Sequence, residues 1–226
     1  MRALVTLAAA LTAALLTTAC INEDTVDGPV AMTLTDVVTF EGNTSADHGA
    51  VFTFRKADDS PLITLTADAA VNNERVSPGT RLLVSYTPAS GQAYTSGDVT
   101  LRGWQMINNG SVTTGDIQDY PEWNRDKVYL YSIWRDGTYI NFHARMVYST
   151  TPRTFRFMAA EATLDNAYPE IYLLHQLPEP TTSHDRHYYA SFDIAPVWNR
   201  PTCRGVRIIV ANSNLRQEVF IFDKKQ

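Results

Sequence analysis

Lys127-Val128-Tyr129-Leu130-Tyr131-Ser132-Ile133-Trp134, then Asp136-Gly137, then Thr138-Tyr139-Ile140-Asn141-Phe142-His143-Ala144-Arg145-Met146-Val147-Tyr148 is the stretch that decides the fold. Both arms are rich in β-branched and aromatic residues and alternate with period two, which suits a half-buried strand and not a helix. Asp-Gly between two such arms predicts a hairpin closed by a type I′ turn. Further runs of the same kind follow at Phe155 to Ala162, Glu170 to Leu177, Tyr188 to Ile194, Val206 to Ala211 and Glu218 to Phe222, separated by Pro, Asn, Asp and Ser. Together they predict a β-sandwich over residues 124–226.

Upstream of the hairpin, strands are expected at Thr33 to Phe40, Ala50 to Arg55, Leu62 to Thr66, Arg81 to Tyr86 and Asp98 to Met106, with turn signals at Gly42-Asn43, Asp58-Asp59-Ser60-Pro61 and Ser77-Pro78-Gly79. Asn72 to Arg75 could add one helical turn. Five short strands in so little chain point to a small OB-like five-stranded barrel over residues 31–107. Asn108-Asn109-Gly110 ends that unit, and residues 108–123 read as a polar linker. The fold class expected is therefore all-β, a small OB-like barrel followed by a β-sandwich.

The first nineteen residues differ from the rest. Arg2 precedes an apolar stretch from Ala3 to Leu16 broken only by Thr6 and Thr12, and Thr17-Thr18-Ala19-Cys20 follows. This is signal-peptide layout. Fourteen helical residues would rise about 21 Å, short of the roughly 30 Å of hydrocarbon that a permanent span must cross. Leu15 to Cys20 resembles a bacterial lipobox, in which the cysteine is diacylated and becomes the new N-terminus. Thr17 stands where that pattern usually has Leu, and cleavage by ordinary signal peptidase after Ala19 is the alternative. Residues 20–30 read as a polar tether. A lipidated Cys20 cannot pair with Cys203, the one other cysteine, so no intramolecular disulfide is expected.

Composition narrows the function classes. The 226-residue chain is 44% hydrophobic and 11% aromatic, enough to build packed cores, and carries a formal net charge of −5. With no basic run longer than Lys224-Lys225, the electrostatic footprint of nucleic-acid binding is missing, and no nucleic-acid partner is expected.

No Gly-x-Ser-x-Gly elbow, phosphate-cradling glycine loop or dinucleotide fingerprint occurs, so no catalytic residue and no cofactor are assigned. Asp116, Asp119, Glu122, Glu161 and Asp193 are too many to nominate the carboxylate pair that sugar hydrolysis needs. His184-Asp185-Arg186-His187 falls short of a zinc signature and reads as a polar connection, so no metal site is assigned. His143 and His175 lie in strands with no visible partner. The aromatics are the better lead. Trp104, Trp123, Trp134 and Trp198 are the candidate contacts to a ligand or partner, with Tyr120, Tyr188 and Tyr189 beside them. The competing reading puts Trp104 and Trp134 in the two cores or the domain interface, and Trp123 with Tyr120 in a seal of that interface.

The order of elements, with Leu34-Thr35-Asp36-Val37-Val38-Thr39, Gly79-Thr80-Arg81-Leu82-Leu83-Val84-Ser85-Tyr86 and Tyr139-Ile140-Asn141-Phe142, resembles the NigD-like proteins of Bacteroidetes over nearly the whole mature chain. That resemblance implies a lipoprotein leader, an N-terminal OB-type domain, a C-terminal β-sandwich and no established activity. Glu23 and Asp24 resemble the acidic export tag of lipoproteins from that phylum, and Asp24-Thr25-Val26 its O-glycosylation site.

The expected protein is a noncatalytic lipoprotein held in the outer membrane through Cys20, at the cell surface or on the periplasmic face. It is expected to bind a protein or glycan partner. A structural component of an envelope complex and a hydrolase with an unrecognised site are the alternatives. A concave pocket holding paired carboxylates would favour the enzyme, and a flat exposed aromatic patch the binder.

Overall fold

The computed structural model describes residues 32–45, 49–177 and 179–225. The expected signal peptide, the lipidation expected at Cys20 and the expected tether lie outside the described residues. Ala31–Gln226 forms one compact unit.

Five strands close a barrel: β1 (Leu34–Asn43), β2 (Ala50–Phe54), β3 (Ile63–Ala67), β4 (Arg81–Pro88) and β5 (Gly97–Met106), in the order β1-β2-β3-β5-β4. β4 returns to pair with β1 from Leu34↔Tyr86 to Thr39↔Arg81, and β3 runs parallel to β5. This is the OB-like arrangement expected. Alternation drives it, because Val38, Phe40, Phe52, Leu65, Leu82, Val84 and Tyr86 all turn into one buried cluster. Asn72 to Arg75 forms no helix, only a turn in which Val76 N–H donates to the Asn73 carbonyl at 3.0 Å.

The rest of the chain builds two packed sheets. One runs β14 (Val219–Asp223), β13 (Gly205–Ile209), β11 (Glu170–His175), β10 (Phe155–Ala160) and β7 (Thr113–Gly115). The other runs β6 (Asn108–Ser111), β12 (Thr181–Asp193), β9 (Tyr139–Ser149) and β8 (Tyr129–Asp136). Phe142, Phe157, Ile171, Phe192 and Ile208 fill the space between the sheets, and the short helix α1 (Ala195–Trp198) adds Val197 and Trp198 to that core.

Three local expectations are corrected. Residues 108–115, read as linker, supply edge strands to both sheets: β6 pairs parallel with β12, and β7 parallel with β10. Edge pairing needs only backbone groups, so Asn-Asn-Gly and Thr-Thr-Gly serve, with Val112 between them buried in the core. β12 begins at Thr181, not Tyr188, so His184 to His187 lie in a strand. The hairpin of β8 and β9 turns through Gly137 and Thr138, since Asp136 still pairs with Tyr139. Positive φ falls on Gly137 alone (+57°), the type II′ pattern and not I′.

Asp136 stays in the ladder because its carboxylate is spoken for at the junction of barrel and sandwich. Arg81 of β4, 2% exposed, reaches from the outside of the barrel onto the outer face of the four-stranded sheet. Its Nη2 donates to Asp136 Oδ2 at 2.9 Å and to Asn141 Oδ1 at 3.0 Å, its Nε to Ser191 Oγ at 2.9 Å, and its Nη1 back to Thr39 Oγ1 at 2.9 Å. The guanidinium also lies 4.4 Å from the centre of the Tyr139 ring. Asp136 Oδ1 accepts from the Arg55 backbone N–H at 2.9 Å.

Beside it Arg135, 1% exposed, makes a two-pronged bond to Asp59 at 2.8 and 2.7 Å and lies over Trp198. Asp58 N–H donates to the Arg135 carbonyl, and Gly137 N–H to that of Asp58. The β2–β3 connection is thereby stitched onto the hairpin turn.

Candidate binding groove and ring platform

The five-stranded sheet turns Arg156, Met158, Tyr172 and Leu174 away from the core, because Phe155, Phe157, Ile171 and Leu173 point inward. The chain between β7 and β8 lies across that outer face. Asp116 starts a 3-10 turn by accepting from Gln118 N–H at 2.9 Å. Tyr120 Oη then accepts from Arg156 Nη1 at 3.0 Å, and Trp123 meets Tyr172 in a T-shaped contact with ring centres 5.1 Å apart. The space between this segment and the sheet is an open groove of about 790 Å³, walled by Asp119, Tyr120, Trp123, Arg156, His175 and Gln176 among others.

Three of the four carboxylates that line it already have structural duties, Asp119 being the fourth. Asp126 Oδ2 accepts from Leu177 N–H at 3.0 Å, Glu179 Oε2 from Thr181 N–H at 3.2 Å, and Glu122 pairs with Arg125. His175 is held from below by Arg153, whose Nη1 donates to Nδ1 at 3.2 Å and to the Gln176 carbonyl at 3.2 Å. A guanidinium has no acceptor, so Nδ1 must carry the lone pair. Burial, with the Arg153 charge second, pulls His175 down to about 4.

An unfolded His175 takes up a proton near pH 6.5, whereas the folded one refuses it until about pH 4. The stability that neutral His175 contributes is therefore present above pH 6.5 and lost as pH falls to about 4, by up to about 3 kcal/mol. Asp36, raised by burial, acts in the opposite sense at the acid end, and comparison with a variant removes that contribution. Urea midpoints measured at pH 7 and pH 4.5 should fall less for His175→Gln than for the unaltered protein. Equal falls would refute the assignment.

A second feature occupies the outer face of the four-stranded sheet, beyond the end covered by the barrel. Tyr129 and Tyr131 of β8, His143 and Arg145 of β9, and His187 and Tyr189 of β12 stand there together. Tyr131 is 45% exposed and stacks on His143 at 4.7 Å and His187 at 5.2 Å, while His143 stacks on Tyr189 at 4.1 Å. Arg145 lies over Tyr129 and pairs with Asp185 at 3.4 Å. The two imidazoles meet directly, with His143 Nε2 and His187 Nδ1 2.8 Å apart. Burial and then His187 lower the His143 pKa.

The four tryptophans are not brought together. Trp123 walls the groove; instead of sealing a domain interface, it and Tyr120 cover the outer face of a sheet. Trp104 packs half-buried against the barrel core. Trp134, opposite Asn141, is half-buried between the Arg81 junction and the ring platform. Trp198 is 7% exposed and belongs to the sandwich core under Arg135, so it offers no surface to a ligand. Cys203 is fully packed, its Sγ donating to the Gly205 carbonyl. Sequence reasoning missed Tyr129 and Tyr131, which alternation could have placed outward, and the pairing of His143 with His187, which needs the register of β9 against β12.

Barrel, sandwich and groove define an all-β protein of the OB-barrel-plus-sandwich class. No family model and no curated protein matches the sequence. Solved structures do match it. A protein of unknown function from Bacteroides vulgatus is 12% identical over 86% of this chain and 92% of its own, with a TM-score of 0.65. A protein from Bacteroides fragilis, provisionally described as a lipoprotein, is 11% identical over 86% and 99%, with a TM-score of 0.60. A NigD-like immunity protein from Bacteroides caccae is 14% identical over 86% and 93%, with a TM-score of 0.55. The NigD-like resemblance is thus borne out in the fold, which this chain shares with them across both modules.

Proposed function

We propose that this chain is a noncatalytic cell-envelope lipoprotein, anchored in the outer membrane through Cys20, that binds a glycan in the groove on the five-stranded sheet. One observation carries the reading. The groove is open along the sheet and sets the rings of Trp123 and Tyr120 beside planar hydrogen-bonding groups from Arg156, Gln176 and Asp119. Sugars are recognised by that combination, because their C–H faces stack on rings while their hydroxyls bond in the plane of amides, guanidinium groups and carboxylates.

The noncatalytic part rests on the lack of a free carboxylate pair: of the four that line the groove, Asp126, Glu122 and Glu179 serve backbone N–H groups or an arginine, which leaves Asp119 alone, and His175 holds its lone pair toward Arg153. The similarity of fold to the Bacteroides fragilis protein provisionally described as a lipoprotein supports the anchor. The exposed ring platform supports a second reading, in which a protein partner docks there, since tyrosine and arginine are the usual anchors of such interfaces.

The test is a glycan array probed with the mature protein. A reproducible hit should weaken at least about tenfold in Trp123→Ala, a loss of about 1.4 kcal/mol. Hits that survive this change, or an array without hits, would move the reading to the ring platform. Cys20→Ala should release the protein from membranes, and its retention there would remove the anchor.

A further inference from the structure

We infer that the hydrogen bond between His143 and His187 is a pH-sensitive latch on the ring platform, closed while at most one of the two imidazoles is charged and released when both are. The inference is independent of the glycan groove, which lies on the other sheet. It starts from two ring nitrogens, His143 Nε2 and His187 Nδ1, that face each other 2.8 Å apart on neighbouring strands. At that distance one nitrogen presents its N–H and the other its lone pair. Two neutral rings meet this condition. One neutral and one charged ring meet it too, with a stronger bond because the donor is then charged. Two charged rings do not: both facing nitrogens carry N–H, no lone pair stands between them, and like charges sit in rings whose centres are 5.0 Å apart.

Register fixes the contact. His143 lies opposite Tyr189, and His187 is two residues before Tyr189 on the same face of β12, the diagonal neighbour that long side chains can reach. His143 is half-buried and stacked on both Tyr131 and Tyr189, with ring centres 4.7 and 4.1 Å away. His187 is exposed and rests on Tyr131 at 5.2 Å. The ring that leaves is therefore His187, and its departure uncovers Tyr131.

The groups that face the pair come from three strands. β8 contributes Tyr129 and Tyr131, β9 Arg145, and β12 Asp185 and Tyr189. Arg145 lies opposite His187 and pairs with Asp185 at 3.4 Å, so these two charges largely cancel and the carboxylate is not left to steady a second imidazolium. His184 and Arg186 of β12 lie instead with Tyr148. Burial of His143, and then the charge of His187, oppose protonation of His143, so His143 takes the second proton. The two rings titrate as one coupled pair and not as separate histidines. Acidification thus opens the platform at His187 and makes it more positive, a change of both shape and charge on the surface where the second reading docks a partner.

The full-length chain, labelled at its histidines and held in detergent, is titrated from pH 8 to pH 4 by nuclear magnetic resonance, with circular dichroism marking the range in which the fold is intact. The His143 and His187 signals should move together in two steps, and the contact between the Tyr131 and His187 rings should vanish in the second step while that between Tyr131 and His143 stays. His187→Ala, at an exposed position, should let His143 titrate in a single step at least about half a pH unit higher, since the like charge is gone. His143→Phe, which keeps a ring between Tyr131 and Tyr189, should leave His187 with a single step. His184→Ala should change neither signal, because His184 stacks on Tyr148 away from the pair. A Tyr131–His187 contact that persists with both rings charged would overturn the latch. So would a His143 that titrates no higher in His187→Ala, an outcome that is readable even where acid unfolds the unaltered protein before its second step.

Discussion

Replacing Asp136 by alanine is expected to destabilise the protein by about 3–5 kcal/mol, because it strips the partner from a buried guanidinium. Arg81 is 2% exposed and its Nη2 donates to Asp136 at 2.9 Å, while the other carboxylate oxygen takes the Arg55 N–H. Alanine leaves a charge without its counter-charge and a backbone donor without its acceptor, at the place where barrel and sandwich meet. Urea unfolding measures the loss. Adding Arg81→Met to Asp136→Ala should recover part of it, since the second change removes the orphaned charge. A single-variant loss below about 1 kcal/mol, or a double variant less stable than either single one by the full sum, would mean that the junction is not held in this way.

The second large effect belongs to the sandwich core. Phe142 is fully buried, with its ring 5.1 Å from Phe155 and stacked at 6.4 Å on Phe157, which in turn stacks on Phe192. Phe142→Ala should cost about 3–5 kcal/mol through lost burial and the cavity left behind. Phe52→Ala does the matching damage in the barrel, where Phe52 is fully buried against Phe40. If the arginine junction couples the two modules, both variants shift one unfolding transition. Two separate transitions, each moved by only one variant, would assign the modules independent stability. A self-contained sandwich would have to start near Asn108, because a fragment from residue 124 lacks β6 and β7.

The strands of the barrel and most of those of the sandwich were legible because alternation and turn chemistry are local properties. Val38 and Phe40, or Phe155 and Phe157, declare their inward face within a few residues, and Gly137 marks its hairpin through a backbone that tolerates positive φ. The groove was half legible. Tyr120 and Trp123 stood out as aromatics in a polar stretch, yet nothing near them in sequence announces that their segment lies across Arg156 and Tyr172.

The sequence by itself determined the class of fold and the order of barrel and sandwich, since each is written in composition or in a period of two. Only the tertiary structure decided which groups meet: Arg81 with Asp136 across 55 positions, His143 with His187 across 44, and the edge strands at 108–115, which join the sheets mainly through their backbone groups. These depend on strand register and on the docking of one module against the other, and a one-residue slip would undo every one of them.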